Sequence, residues 1–405
     1  MTESIAIELE RRRGLKTIEF GFILLCCLFY INFEIQAQFE LYAPFIALGY
    51  SYYFYQKEPS CRSFTRNIIL SILLLAIMYT ILTDANTVSG SFLKFKQLYV
   101  KFSQYILVIF PIFLFHRVNN NASKKQLVII IVTVLLFCIL LARVAIQFAQ
   151  ANPLILHSMD ANILEEANMA LVAFYFVYLY TFIIITGIIL IGHSNDKRIK
   201  YVSIALLLFS LYFLYIAQFA LSFVTTALSI TYYYLKTSKS QYKFFVVFII
   251  ILLAFTLPLL LKLIISISDS ELLNARLTEI YNSLTGQSNP SEESDLQARL
   301  DLYWMCVVKF FESPIIGNRR LPFNGHSTFL TAFADLGIFG GLLLCSIFRK
   351  SFRFFKVSLG NKYIYFLPLV CQIILMGLTN PIHSAPANFI MLFFLCPLLI
   401  NYYIK

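Results

Sequence analysis

Apolar runs recur along the whole chain, and each is bounded by charged or turn-forming residues. A run of about 20 apolar residues can cross the hydrocarbon core of a bilayer as an α-helix. About twelve segments fit this pattern. Their predicted bounds are 17–35, 41–55, 67–83, 103–116, 126–148, 169–191, 201–216, 219–235, 244–266, 327–348, 363–379 and 386–403. The pattern predicts an all-α integral membrane protein that forms one polytopic domain over residues 1–405.

Two of these segments depart from the usual length of a span. Segment 103–116 is short. The run 201–235 is too long for one tilted span, because 35 helical residues extend about 52 Å. We therefore predict a break near Gln218 and a tight helical hairpin made of 201–216 and 219–235.

The composition excludes several classes of protein. Hydrophobic residues make up 59% of the chain and charged residues only 13%, whereas soluble domains are about 25% charged. A water-soluble globular enzyme, a disordered protein and a nucleic-acid-binding domain are therefore excluded as the main body of the chain. The net charge is +11, which in a membrane protein is first a signal of orientation.

Lysine and arginine are unevenly distributed between alternate connections. With the amino terminus in the cytoplasm, the cytoplasmic connections hold 22 basic residues and the opposite connections hold 8. Such an excess is typical of short cytoplasmic loops. We therefore predict an even number of spans, with both termini in the cytoplasm. The opposite set comprises Lys94, Lys96, Lys101, Arg276, Arg299, Lys309, Arg319 and Arg320.

The connection 267–326 is far longer than the others, and the charge distribution places it outside the cytoplasm. Long loops in compact proteins usually carry function. Apolar residues recur at helical spacing from Leu273 to Leu284, which predicts a first loop helix. Ser294 to Gln297 form a capping box that predicts a second helix, running to Pro314. The second helix is apolar almost all round, so we expect it in the membrane interface or against the bundle.

Four short elements follow one another between Arg299 and Gly341. Arg299 opens the second loop helix, and then come a turn at Ser313-Pro314-Ile-Ile-Gly317, the pair His326-Ser327 and a span with Gly337-Ile-Phe-Gly340. This order resembles the carboxy-terminal signature of the O-antigen ligase/polymerase superfamily, and within it a Wzy-type repeat-unit polymerase is the most similar. The motif match covers about a tenth of the chain.

The resemblance implies that a glycan on undecaprenyl diphosphate is transferred to a sugar hydroxyl at the outer face of a bacterial cytoplasmic membrane. A guanidinium stays ionised and offers paired donors to a diphosphate leaving group, which suits Arg299. A histidine can act as a general base near pH 7, which suits His326. Because the outer loop has no Asp-x-Asp pair, we expect a metal-independent reaction without a cofactor.

Further residues are candidates for binding the substrate. Arg276, Arg319 and Arg320 lie in the outer loop, and Arg143 lies near the outer end of the fifth span, where an ionisable residue indicates function or a buried partner. Tyr303 could stack on a sugar ring. A structural role is the alternative for the two catalytic candidates: Arg299 could extend to lipid headgroups, and His326 could cap a helix.

One element of the family pattern is absent from this chain. Superfamily members often carry an arginine after Ser or Thr at the outer end of a mid-chain span, but the corresponding stretch 217–226 has none. Gln218 and Ser222 could make weaker polar contacts there, or another cation could substitute. The cations that could do so are Arg143, Lys94, Lys96 and Lys101.

Three functions remain open from the sequence. A polymerase of O-antigen or capsular repeat units would bind lipid-linked oligosaccharides as donor and acceptor, besides membrane lipids, and could work with a chain-length regulator and a flippase. An O-antigen ligase would transfer the glycan to lipid A–core instead. A lipid-linked oligosaccharide flippase would place its ionisable residues near the midplane of the bundle. The context Gly325-His326-Ser327 and the absent arginine favour the polymerase, and nucleic acid is not an expected partner.

Overall fold

The computed structural model describes residues 14–31, 42–82, 91–151, 175–217, 220–238, 261–267, 295–317, 327–382 and 386–404, with single positions between 243 and 282. Of the described residues 92% are helical, and none of them lies in a strand. The predicted all-α class is therefore confirmed. The helices are α1 (Thr17–Ile31), α2 (Ala43–Lys57), α3 (Arg62–Ile81), α4 (Ser91–Asn121), α5 (Lys124–Ala151), α6 (Tyr175–His193), α7 (Lys197–Ala217), α8 (Ala220–Thr237), α9 (Asp295–Glu312), α10 (Thr328–Leu359), α11 (Tyr363–Thr379) and α12 (Pro386–Tyr403).

Within this part of the chain, seven helical stretches are long and apolar enough to cross a membrane. One of them, Thr328–Thr379, contains both α10 and α11. Helix α1 is also apolar but shorter. The predicted span 244–266 lies mostly outside the described residues. The helices therefore support an all-α membrane protein, while the count of twelve spans stays a prediction.

The centre of the bundle is formed by α4, α6 and α12. The apolar stretches of these helices are mostly buried, because each helix is surrounded by other helices. Helix α12 contains a turn of π-helix at Met391–Leu395, and these five residues are all buried. Aromatic rings fill the space between α12 and α10, where Phe393 stacks on Phe355 with ring centroids 5.5 Å apart.

The structure corrects the two segments of unusual length. The apolar run 103–116 is only the middle of α4, which has 31 residues and continues through the polar sequences on both sides. In the run 201–235 the described helices are α7, which reaches Ala217, and α8, which begins at Ala220, and the predicted break near Gln218 lies outside the described residues. The two helices do not form a tight hairpin along their described length, because α7 packs mainly on α6 and α8 packs mainly on α11.

A buried amide joins three helices inside the bundle. Gln372 of α11 donates hydrogen bonds to Thr181 of α6 at 2.9 Å and to Thr225 of α8 at 3.1 Å. It also accepts a hydrogen bond from Ser229 of α8 at 2.9 Å. Hydrogen bonds of this kind hold helices together where lipid gives no hydrophobic drive for association.

Basic residues gather at one end of the bundle, which we call the basic end. There Arg117 forms ion pairs with Glu19 at 2.6 Å and with Glu58 at 3.1 Å. Lys350 donates to Ser71 at 2.7 Å, and Lys362 donates to the carbonyl of Asn401 at 2.7 Å. The predicted cytoplasmic connections thus meet at the same end of the molecule.

Both described ends of the chain lie at the basic end. The backbone N–H of Leu15 donates to Gln126, at the start of α5. Near the other terminus, Asn401 of α12 donates to Asn119, at the end of α4. Because α4 and α5 are joined by a short turn, these contacts bring the two described ends of the chain to one side of the bundle. That this side faces the cytoplasm stays a prediction.

Candidate functional site

Helix α9 carries Arg299 and lies at the end of the bundle opposite the basic end, which we call the loop end. The predicted second loop helix is confirmed, with bounds of Asp295–Glu312. Arg299 is half-buried, and Tyr303 lies one turn further along the same face. The hydroxyl of Tyr303 donates a hydrogen bond to the carbonyl of Thr379, 3.0 Å away. This contact fixes the face that carries Arg299 against the end of α11.

The two faces of α9 have different surroundings. On the inner face Cys306 is 2% exposed, and the ring of Phe310 packs edge-on against Phe333 of α10. Burial raises the pKa of the Cys306 thiol to about 11. The outer face presents exposed apolar side chains at helical spacing, namely Leu300, Trp304, Val308 and Phe311. The helix therefore packs on the bundle and also has the apolar outer stripe of an interfacial helix.

The predicted Pro-x-x-Gly turn packs against a break in α10. The backbone of Gly337 has a φ of 64°, which interrupts the helix there. The N–H of Ile338, freed by this break, donates to the carbonyl of Pro314 at 2.8 Å. Gly317 has a φ of 81°, and a side chain there would collide with the backbone of Asp335. The positive φ of Gly337 thus permits the break, and the lack of a side chain at Gly317 permits the close contact with it.

The start of α10 is bound to the end of α11. Ser327 caps α10 by accepting a hydrogen bond from the N–H of Leu330 at 3.1 Å, and it donates to the carbonyl of Gly377 at 3.1 Å. Thr328 donates twice to the carbonyl of Asn380, through its N–H at 3.2 Å and its hydroxyl at 3.1 Å. The chain therefore enters α10 in a fixed direction.

Asn380 connects this junction to the centre of the bundle. Its side-chain amide donates to the hydroxyl of Tyr178 on α6 at 3.2 Å and to Thr379 at 2.9 Å. Asn380 is 2% exposed. The carbonyls of three residues at the end of α11 (Gly377, Thr379 and Asn380) thus bind α9 on one side and the start of α10 on the other.

The structure brings together only part of the predicted site. Arg299 and Tyr303 lie at the loop end, as described above. Arg143 is exposed on α5, which packs on α1 and α7. Arg299 lies on α9, which packs on α10. Among the described helices, Arg143 is therefore not close to Arg299. Four predicted residues lie outside the described residues, and they are His326, Arg276, Arg319 and Arg320.

Two residues at this site were not singled out from the sequence. Asp335 is 7% exposed, lies beside the break in α10 and acts electrostatically on Cys306. Asn380 connects three helices. The signal for Asp335 was available, because a single carboxylate within an apolar span indicates a function or a partner. The role of Asn380 had no sequence signal, since its partners lie 52 and 202 positions away.

Metal-binding residues do not gather in the part of the chain that the structure describes, where no group of three His, Cys, Asp or Glu side chains could hold an ion. The chain was also compared with known proteins. No protein-family profile matches it, and no curated protein matches it significantly.

Proposed function

We propose that the protein is a membrane glycosyltransferase that polymerises oligosaccharide repeat units carried on undecaprenyl diphosphate. One observation supports this more than any other. Tyr303, one turn from Arg299, and Ser327, the neighbour of His326 in the chain, bind the carbonyls of Thr379 and Gly377 in the last turn of α11. Neighbours of the two predicted catalytic residues therefore share one anchor, although 27 positions separate Arg299 from His326.

In this proposal Arg299 stabilises the leaving group. Cleavage of the bond between sugar and diphosphate places negative charge on phosphate oxygens, and a guanidinium can bind two of these oxygens at once. The half-buried position on α9 limits how far the side chain can move and how much water surrounds it. A fixed cation of this kind is more effective in the transition state than one that must be oriented during the reaction.

His326 would act as the base that accepts the proton of the acceptor hydroxyl. General-base assistance of this kind contributes a factor of about 10²–10⁴ to a rate. The cap formed by Ser327 and the two bonds from Thr328 to Asn380 hold the start of α10, directly after this histidine in the chain. A fixed attachment point supports a positioned base, since a small displacement of a catalytic group lowers the rate strongly.

The active site would face the periplasm or the cell exterior, at the outer surface of a bacterial cytoplasmic membrane. The asymmetry of basic residues between the two ends of the bundle supports this orientation. The exposed apolar stripe of α9 would then rest at the level of the lipid headgroups. A lipid diphosphate could reach Arg299 there without leaving the membrane.

Purified protein in proteoliposomes, supplied with a defined lipid-linked repeat unit, tests the proposal. A ladder of longer glycans from this substrate alone is expected. Product that forms only after lipid A–core is added would instead identify an O-antigen ligase. Movement of the substrate across the membrane without a new glycosidic bond would identify a transporter and overturn the proposal.

Variants in the same assay test the two residues. His326→Gln and Arg299→Ala are each expected to lower the rate at least about 100-fold. Arg198→Ala is the matched control, because Arg198 is an exposed arginine at the basic end. Wild-type rates in both His326→Gln and Arg299→Ala would remove this site from the mechanism.

A further inference from the structure

A cavity of about 800 Å³ lies between α10 and α11 and runs from Phe329 and Leu378, near the loop end, to Lys356 and Tyr363, near the basic end. Its walls are mainly aromatic and aliphatic, and no acidic residue lines it. The apolar lining residues are Phe329, Phe333, Cys345, Phe348, Phe352, Tyr363, Ile374 and Leu378. We call this cavity the α10–α11 groove. From Tyr363 to Leu378 it extends along α11 for about 22 Å, which is most of the thickness of a bilayer's hydrocarbon core.

Three cations line the α10–α11 groove where it meets the basic end. They are Arg349, Arg353 and Lys356. Their spacing of four and three positions puts them on one face of α10. All three are exposed, and none has a hydrogen bond or ion pair with another described residue. The groove thus combines a long apolar wall with positive charge at one end only.

This combination matches the chemistry of an anionic phospholipid. An acyl chain has no polar group and can pack on the aromatic wall. A phosphate can accept hydrogen bonds from three positively charged side chains. A soluble anion would not use the apolar wall. A polyprenyl diphosphate bound at the loop end would place its charge away from these three cations.

We infer that the α10–α11 groove binds one anionic phospholipid of the adjacent leaflet, with its phosphate on Arg349, Arg353 and Lys356 and an acyl chain between α10 and α11. Lys197, Arg198 and Lys200, at the start of α7, do not line this cavity. The inference does not depend on the proposed glycosyltransferase activity.

Native mass spectrometry of the delipidated full-length protein tests this inference. The probes are phosphatidylglycerol, which is anionic, and phosphatidylcholine, which is zwitterionic. Wild type is expected to bind one phosphatidylglycerol in preference to phosphatidylcholine. The triple variant Arg349→Gln/Arg353→Gln/Lys356→Gln is expected to bind it at least about tenfold more weakly. The matched triple variant Lys197→Gln/Arg198→Gln/Lys200→Gln is expected to bind it as wild type does.

A second pair of variants tests the apolar wall. Ile374 lines the groove and is 40% exposed, whereas Leu211 lies on α7, outside this groove, and is 39% exposed. Ile374→Trp is expected to lower the affinity for phosphatidylglycerol at least about fivefold by filling the groove, and Leu211→Trp is expected to leave it unchanged.

Three results would overturn the inference. The first is equal binding of the two lipids by wild type. The second is an unchanged affinity in the triple variant of α10. The third is a competition result in which undecaprenyl phosphate displaces phosphatidylglycerol equally well from wild type and from that triple variant. This result would assign the groove to a polyprenyl tail that enters from the loop end.

Discussion

Gly317 and Gly337 meet backbone to backbone where the turn after α9 packs against the break in α10. Both have a positive φ, and a Cβ atom on Gly337 would lie 2.7 Å from the backbone nitrogen of Gly317. Neither residue can carry a side chain without moving the other segment. This contact fixes where α9, and with it Arg299, lies relative to α10.

Gly317→Ala and Gly337→Ala should therefore each destabilise the protein. A non-glycine residue in this backbone region costs about 1–3 kcal/mol, and the collision with the facing backbone adds to that cost. We expect the thermal transition of the purified protein to fall by several degrees in each variant.

Gly49→Ala provides the control for both glycine variants. Gly49 lies in α2 with no atom within 4 Å of an added Cβ. Alanine there should be neutral or stabilise by up to about 1 kcal/mol, because it favours the helix. An equal loss of stability in Gly49→Ala and Gly337→Ala would contradict this account of the junction.

Tyr303→Phe should separate the two roles considered for Tyr303. Loss of its hydrogen bond to Thr379 should cost about 0.5–1.5 kcal/mol and let α9 shift, so we expect a lower turnover number. If Tyr303 only stacks on a sugar, Phe would retain activity. Tyr201→Phe is the control, because Tyr201 is 70% exposed on α7. Steady-state kinetics and thermal stability of the three proteins distinguish these outcomes.

Gln372→Leu should weaken the contacts among α6, α8 and α11. It removes three hydrogen bonds to Thr181, Thr225 and Ser229, and we expect a loss of about 1–2 kcal/mol. Ser210→Ala is a useful contrast, since the hydroxyl of Ser210 is buried and has no hydrogen-bond partner among the residues that the structure describes. That variant should be neutral or slightly stabilising. A greater loss in Ser210→Ala than in Gln372→Leu would exclude the network as a source of stability.

Cys306 should make stability depend on pH in the alkaline range. Burial raises its pKa from 9.0 to about 11, so the folded protein keeps the thiol protonated while the unfolded chain ionises. The contribution is fully present below pH 9 and is lost as the pH rises to about 11. Compared with Cys306→Ala, wild type should lose thermal stability over this interval. Parallel pH curves for the two proteins would show that the thiol does not titrate in this way.

Much of the helical architecture could be predicted from the sequence, because apolar runs and basic connections follow directly from the thickness and charge asymmetry of a bilayer. The capping box at Ser294 to Gln297 likewise predicted α9. Helix α4 shows a limit of prediction from hydropathy. Hydropathy marks only its apolar middle, whereas the helix extends from Ser91 to Asn121 and packs against α2, α3 and α12.

The candidate site was predictable only in part. The position of Arg299 at the start of a loop helix made it a candidate. The hydrogen bond from Tyr303 to Thr379 could not be predicted, because the two residues are 76 positions apart. The break at Gly337 was also missed, since Gly-x-x-Gly more often indicates close helix packing. Long-range hydrogen bonds and backbone contacts depend on the assembled bundle, which no local pattern specifies.

The central claim is that the segment carrying Arg299 lies outside the cytoplasm. Glu312, at the end of α9, and Asn361, at the basic end, are both exposed and can each be replaced by cysteine. Intact cells treated with a membrane-impermeant maleimide should label Glu312→Cys, whereas Asn361→Cys should be labelled only after permeabilisation, with wild type as the blank. Labelling of Asn361→Cys but not of Glu312→Cys in intact cells would contradict the account.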